Sequence, residues 1–300
     1  MRNLSGIIIP AVTPFDENGE IRFDWLEENY KAWNDTAISG VMALGSNGEF
    51  RMLSDDEALA VIEKAAKSMK PEKCFIAGVG RESLYQTLKF IDRVSRADLP
   101  IDYYSVLTPH YFEGLMTDKA LFEYYTAIAD HSPVPILLYC APGFSNDVTI
   151  SAEVLKALAD HPNIHGIKDT SKNMMNAYMD AVGGRDDFAV VSGSMSTILL
   201  CLSRGGAGGV VSASNYFPAE CAEVVRLYRE EGEEKAKEYY TALQSVISRT
   251  GARGSVAGVK CCMNLVGLHG GYPRRPILPL EKAAEDEYRA VLAENGFIKA

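Results

Sequence analysis

The run GIIIPAV at residues 6–12 indicates a β-strand that is buried on both faces, because its apolar residues are continuous rather than alternating. Seven further apolar runs follow, beginning near residues 40, 74, 101, 135, 164, 188 and 208. Their starts lie 20 to 34 residues apart, which leaves room for a loop and one crossover helix between parallel strands. The pattern therefore predicts eight consecutive βα units.

The segments between these runs carry helical signals. Leu26, Tyr30 and Trp33 fall on one helix face. Ser54 and Glu57 have the spacing of a capping box, in which each side chain pairs with the backbone N–H of the other residue. After the eighth run, residues 218–251 and 286–295 read as helical, and no further clear strand follows.

Eight parallel strands fit a closed barrel or an open doubly wound sheet. Closure is favoured because near-uniform units leave no unpaired edge, and because the first βα turn lacks a dinucleotide-binding glycine pattern. We therefore predict an α/β fold, a (β/α)8 TIM barrel over residues 1–217. Residues 218–300 are predicted to form a C-terminal helical extension packed on it as part of one structural unit.

Composition excludes several classes of protein. The chain has 300 residues, of which 47% are hydrophobic, and a formal charge of −10 without a basic run, so we expect no nucleic-acid partner. Its apolar runs are far shorter than the roughly 18 residues of a membrane helix, and no signal peptide is evident. Six cysteines without a C-x-x-C pair indicate neither a disulfide framework nor a zinc site. We expect a cytoplasmic protein.

Two side chains at predicted strand ends are candidates for catalysis, since barrel active sites lie at the carboxyl ends of strands. Lys168 ends an otherwise apolar strand, where burial disfavours the ammonium form and favours the nucleophilic amine needed for an imine. Tyr139 ends the preceding strand, about 4.8 Å away, and its phenol could transfer protons. The alternatives are a structural lysine paired with Asp169 or another acid, and a tyrosine that only caps the core.

The turn at residues 45–48, Gly-Ser-Asn-Gly, offers backbone N–H groups and a hydroxyl at the end of the second strand. Such a turn suits a carboxylate, although the same four residues also occur in turns without a ligand. Phosphate is the competing anion, but the Lys-Ser/Thr of a P-loop is missing. No strand end carries a cluster of carboxylates, so we expect chemistry without a metal and assign no cofactor.

Three motifs resemble those of the dihydrodipicolinate synthase/N-acetylneuraminate lyase family: GSNGE at 45–49, Tyr139-x-x-Pro142-Gly143, and GIKD at 166–169. The likeness covers essentially the whole chain, with the motifs in order on strands two, five and six. It implies a class I (β/α)8 aldolase or lyase, usually a homotetramer, that forms an imine with pyruvate or another 2-oxo acid. A dimer is the alternative assembly.

The resemblance also implies roles for individual residues. Lys168 matches the imine-forming lysine, and Tyr139 matches the tyrosine that relays protons. Substrate binding is implied at the Ser46-Asn47 pair and at Ser212 after strand eight. We also count Gly193, after strand seven, and Phe144, after strand five, among the substrate-binding candidates. Tyr111 matches a tyrosine that in many members reaches the active site of a neighbouring subunit, and we count it among the catalytic candidates.

Departures from the family pattern bear on the substrate. Phe144 stands where the synthases place an arginine that holds a second carboxylate, so dihydrodipicolinate synthesis is disfavoured. Asn47 replaces a usual threonine, and the resulting turn resembles that of 4-hydroxy-2-oxoglutarate and 2-keto-3-deoxy acid aldolases. Residues 193–196 lack the acidic side chains of sialic-acid lyases, which disfavours N-acetylneuraminate cleavage.

We therefore expect a carbon–carbon lyase that reversibly joins pyruvate to an aldehyde, of the 4-hydroxy-2-oxoglutarate or 2-keto-3-deoxy acid type. Dihydrodipicolinate synthase and N-acetylneuraminate lyase activities are the enzymatic alternatives. A regulator that binds a 2-oxo acid without catalysis is the non-enzymatic alternative. A phosphate-binding barrel isomerase is disfavoured, because strands seven and eight end without a clear phosphate-binding glycine loop.

Overall fold

A computed structural model of the chain describes residues 3–171, 173–182, 184–251 and 255–299. Eight parallel strands pair in chain order, and β1 also pairs with β8, so the sheet closes into a barrel. This confirms the predicted (β/α)8 fold. The strands are β1 Gly6–Pro10, β2 Gly40–Ala43, β3 Cys74–Gly78, β4 Tyr103–Leu107, β5 Ile136–Cys140, β6 Ile164–Asp169, β7 Ala189–Ser192 and β8 Gly208–Val210.

A helix follows each strand. These helices are α1 Phe23–Asn34, α2 Asp55–Ser68, α3 Leu84–Arg96, α4 Asp118–His131, α5 Ala152–Leu158, α6 Met175–Val182, α7 Ile198–Ser203 and α8 Pro218–Glu230. The predicted apolar face of α1 is buried, and the predicted capping box of Ser54 and Glu57 is present at the start of α2. The helical periodicity and the cap residues therefore identified both elements correctly.

The C-terminal part adds three helices to those eight within the described residues, namely α9 Glu233–Arg249, α10 Ser255–Leu265 and α11 Lys282–Glu294. The sequence pattern predicted α9 and α11 but not α10. Most residues of α10 are buried, so apolar side chains cover it without the one-sided periodicity on which the prediction relied. The helical run predicted from residue 218 is also interrupted, because Gly232 lies between α8 and α9 with a φ of 98°.

The division after residue 217 stays a prediction about domain organisation. Helix α8 contacts both β1 and α9, so it links the barrel to the rest of the extension. Helix α10 contacts the turns that follow β2 and β8. The extension therefore reaches the carboxyl ends of the strands, where the candidate site lies.

Two further features concern membrane-spanning helices and cysteines. No helix within the described residues is long and apolar enough to cross a membrane. All six cysteines are free, and Cys261 alone among them is not fully buried.

Candidate active site

Lys168 lies at the carboxyl end of β6 and is only 3% exposed. Its Nζ lies 4.0 Å from Sδ of Met42 and 4.1 Å from the centre of the Tyr139 ring. A thioether is a weak acceptor, and neither contact supplies a negative charge. The amine therefore lies in a closed, largely apolar environment at the end of β6.

Asp169 does not pair with Lys168. Its Oδ1 accepts a hydrogen bond from the backbone N–H of Ser171 at 2.8 Å, and Oδ2 has no hydrogen-bond partner among the described residues. Burial raises the pKa of the Asp169 carboxyl, against the opposing effect of the Ser171 hydrogen bonds. The alternative reading of Lys168 as a structural partner of Asp169 is therefore not supported.

Strand register brings Tyr139 beside Lys168, since the two residues are direct partners in the pairing of β5 with β6. The Tyr139 hydroxyl lies 3.2 Å from Oγ of Ser46, a hydrogen bond in which either oxygen can donate. One phenol thus links the lysine to the turn after β2. Its hydroxyl is therefore the candidate group for proton transfer in this cluster.

The turn after β2 contains Ser46 and Asn47 as the first two residues of a short 3-10 helix, Ser46–Gly48. The first N–H groups of such a turn have no acceptor inside it, so they are available to an anion. Nδ2 of Asn47 donates to Oγ of Ser212 at 2.8 Å, which joins the ends of β2 and β8. The structure thus brings together four of the predicted residues, Lys168, Tyr139, Ser46 and Asn47, with Ser212 as a fifth.

The same turn is held from the C-terminal side by a buried ion pair. Glu49, in a left-handed conformation with a φ of 53°, places Oε1 2.5 Å from Nζ of Lys260 on α10. Lys260 also donates to the backbone oxygens of Thr13 and Tyr272, each at 2.8 Å. Burial lowers the pKa of Lys260 to about 8, although the neighbouring Glu49 carboxylate raises it. The pair fixes the turn against α10.

A cavity of about 490 Å³ opens beside this cluster and shares Asn47 and Ser212 with it. Phe144 and Gly193, both predicted to bind substrate, also line the cavity. The Phe144 side chain is 52% exposed. A side chain at position 193 is excluded, because a Cβ there would lie 2.0 Å from Oγ1 of Thr170. Helices α9 and α10 form the opposite wall of the cavity.

Tyr111 is not part of this cluster within the chain. It lies in the loop after β4, is 77% exposed, and packs its ring edge-on against Phe112 at 5.0 Å. Glu82 holds the loop by accepting hydrogen bonds from the backbone N–H groups of His110 and Tyr111, at 2.9 and 3.0 Å. The predicted contribution of Tyr111 requires a second copy of the chain and stays a prediction.

Sequence reasoning missed several residues of the site. Thr170 had a signal, since it follows Lys168 at a strand end, yet it was not singled out. Met42 carried none, because methionine inside an apolar run indicates only a core residue. Gln244 and Lys260 come from helices of the extension, and no local pattern connects them to strand ends far away in the sequence.

Comparisons with known proteins agree with this architecture. A model of the dihydrodipicolinate synthetase family matches residues 3–295. The chain is 28% identical to a probable mitochondrial 4-hydroxy-2-oxoglutarate aldolase of Emericella nidulans, covering 96% of this chain and 93% of that protein. It is 27% identical to a 4-hydroxy-tetrahydrodipicolinate synthase of Neisseria gonorrhoeae, covering 98% and 99%. The crystal structure of dihydrodipicolinate synthase from Thermotoga maritima matches with a TM-score of 0.90 at 26% identity, covering 98% of this chain and 99% of that one.

Proposed function

The chain belongs to the dihydrodipicolinate synthetase family and is a carbon–carbon lyase, and from this premise we propose that it joins pyruvate reversibly to an aldehyde through an imine on Lys168. The observation that carries the proposal is the buried Lys168 amine beside the ring of Tyr139, at 4.1 Å. No carboxylate among the described residues forms an ion pair with this amine. A ketone that reaches it therefore meets a nucleophile that is not held in an ion pair. The family membership gives the reaction type, and the geometry supports the assignment of the residues.

In the first step the Lys168 amine attacks C2 of the 2-oxo acid. The C2=O bond is replaced by a C2=N bond, and the oxygen leaves as water. The protonated imine then withdraws electrons from C3, which an unmodified ketone does much less effectively. The Ser46-Asn47 turn holds the substrate carboxylate through its hydroxyl, its side-chain amide and the backbone N–H groups at its start.

In the cleavage direction the C4 hydroxyl loses its proton through the Tyr139 phenol while the C3–C4 bond breaks. The electron pair moves to the imine nitrogen, which gives an enamine, and the aldehyde leaves. Protonation of the enamine at C3 and hydrolysis of the imine by water then release pyruvate and restore the amine. Ser46, 3.2 Å from the phenol, is the partner that orients it.

The substrate type proposed is a 4-hydroxy-2-oxoglutarate or 2-keto-3-deoxy acid. Curated relatives of the chain are named as aldolases of the first compound and as 4-hydroxy-tetrahydrodipicolinate synthases. Phe144 at the rim of the cavity supports the aldolase assignment, since a phenyl ring cannot make the bidentate contact that arginine makes with a carboxylate. Synthase activity remains the second candidate because relatives carry that name.

We further propose that the chain assembles as a homotetramer in the cytoplasm, with Tyr111 of one subunit completing the site of another. The exposed aromatic loop after β4 supports this assembly, since Tyr111 and Phe112 are both mostly exposed in the single chain. A tyrosine on the surface has no obvious role in one subunit but can contribute a hydroxyl across an interface.

Borohydride trapping tests the reaction directly. Incubation with pyruvate and borohydride is expected to add one reduced pyruvyl group to Lys168, detected by peptide mass. The Lys168→Ala variant is expected to lose both the adduct and all turnover with pyruvate and an aldehyde panel. Lys73 is the matched control, a buried lysine whose amine donates to the backbone oxygens of Thr36 and Ile38. An adduct that survives in Lys168→Ala, or pyruvate binding without any adduct, contradicts the proposal.

A further inference from the structure

The cavity beside the reactive lysine collects hydrogen-bonding side chains that carry no charge. Ser194 and Ser196 come from the loop after β7, Thr170 from the end of β6, and Gln244 from α9. The hydroxyls of Ser194 and Ser196 already contact each other at 2.8 Å. In contrast, Oγ1 of Thr170 and Oε1 of Gln244 are buried and have no partner within the part of the chain that the structure describes.

An unpartnered buried polar atom is costly, so it calls for a ligand group or a water molecule that supplies the missing hydrogen bond. The Gln244 amide oxygen can only accept, and its partner must therefore donate. A hydroxyl group donates. An ionised carboxylate offers acceptors alone and would leave the amide oxygen unsatisfied.

We propose that Gln244 recognises a hydroxyl group of the aldehyde substrate, and that this substrate is an uncharged hydroxyaldehyde rather than an oxo acid such as glyoxylate. The inference rests on the proposed function, because it concerns the partner of pyruvate in the same site. With the pyruvate carboxylate at the Ser46-Asn47 turn, the aldehyde chain extends into the shared cavity toward α9. The uncharged phenyl ring of Phe144 also lines this cavity.

Four matched aldehydes test this assignment with the full-length enzyme and pyruvate. Glyceraldehyde carries two hydroxyls, glycolaldehyde one, propionaldehyde none, and glyoxylate a carboxylate. We expect kcat/KM for glyceraldehyde to exceed that for propionaldehyde and for glyoxylate by roughly tenfold or more, the value of a good hydrogen bond in a buried site. Glycolaldehyde should fall between glyceraldehyde and propionaldehyde.

Two substitutions separate recognition of the hydroxyl from simple packing. Gln244→Leu keeps a side chain of similar size but removes the acceptor, so kcat/KM for glyceraldehyde should fall roughly tenfold, mainly through KM, with little change for propionaldehyde. Gln244→Glu keeps an acceptor for a hydroxyl and repels a carboxylate, so it should retain glyceraldehyde and reject glyoxylate more strongly. Ser245→Ala, at an exposed position on the same helix, is the control and should match the unmodified enzyme.

The outcomes distinguish this inference from the proposed function. If pyruvate and borohydride give no adduct on Lys168, the proposed function fails before the aldehyde matters. If the adduct forms but glyoxylate is the preferred aldehyde, the hydroxyaldehyde assignment is wrong. If Gln244→Leu lowers the rate equally for glyceraldehyde and propionaldehyde, the side chain only packs against the substrate, and its recognition role is contradicted.

Discussion

Tyr139 shows how one side chain acquires a chemical role from its position in a sheet. Parallel register makes it the direct neighbour of Lys168, and the hydroxyl then extends to Ser46 on a third strand end. The two contacts use different parts of the residue, since the ring faces the amine and the oxygen faces the serine. Removing the oxygen alone should therefore leave the lysine environment intact.

Tyr139→Phe is expected to lower kcat for aldehyde release by roughly 10²- to 10⁴-fold, the usual range for a lost general acid–base group. The variant should still trap pyruvate on Lys168 with borohydride. Stopped-flow or quench measurements of trapping and of turnover check the two parts separately. Tyr104→Phe is the matched control, because this buried tyrosine also pairs with a serine, its hydroxyl lying 3.0 Å from Oγ of Ser95. Equal losses in both variants would contradict the role of Tyr139.

At the scale of elements, the C-terminal extension holds the loops of the barrel in place. We call its contacts through Arg274 and Lys260 the clamp. Arg274, in the segment after α10, donates through its guanidinium to Glu57 at the start of α2, at 2.5 and 3.1 Å, and to the backbone oxygen of Gly19. Its backbone N–H donates to Oε2 of Glu49 at 2.8 Å, the same carboxylate that pairs with Lys260. Two segments of the extension thus hold the turn that carries Ser46 and Asn47.

Stability at low pH should report on this clamp. The hydrogen bond from Arg274 lowers the pKa of Glu57 to about 2 from its usual 4.5, with burial opposing the shift. A lowered pKa stabilises the folded state above pH 4.5, and this stabilisation is lost as pH falls from 4.5 toward 2. Because both side chains are partly exposed, we expect Glu57→Gln to lower the free energy of unfolding by on the order of 1 kcal/mol at pH 7.

Denaturant unfolding at pH 7 and pH 3 measures that difference. The gap between Glu57→Gln and the unmodified protein should be largest at pH 7 and should shrink at pH 3. Glu63→Gln is the control, since this carboxylate of the same helix lies near the surface and forms, among the described residues, an ion pair only with Lys67, at 4.0 Å. A gap that stays constant with pH would mean that the substitution acts through packing rather than through the charge of Glu57.

Some elements of the fold could be predicted from the sequence, and others could not. Continuous apolar runs predicted all eight strands, since a strand covered on both faces needs apolar residues throughout. Strand order then placed Lys168 beside Tyr139 without any coordinates. Helix α10 was not predicted, because most of its residues are buried and its apolar side chains therefore show no one-sided helical period. The contacts of Gln244 and Lys260 with the site could not be predicted, because tertiary packing alone brings the extension to the strand ends. No local spacing in the sequence indicates that the extension lies there.

At the scale of the whole molecule, the closed barrel leaves no strand edge for pairing, so association depends on side chains of the surface helices and loops. The loop after β4 exposes Tyr111, Phe112 and Leu115 together. An apolar cluster of this kind on a chain with a formal charge of −10 is a candidate contact between copies of the chain. It is also where the resemblance places a tyrosine that serves a neighbouring site.

Subunit mixing tests whether Tyr111 acts across such a contact. Lys168→Ala and Tyr111→Ala should each be nearly inactive alone. In a mixed oligomer, the Tyr111→Ala subunit keeps Lys168 and receives Tyr111 from its Lys168→Ala neighbour, so one complete site forms and turnover returns. Unfolding and refolding the two variants together, with native mass spectrometry to count mixed assemblies, gives the measurement. Mixed assemblies without recovered turnover would mean that Tyr111 does not complete the site of its neighbour, and a monomeric protein at assay concentration would contradict the assembly itself.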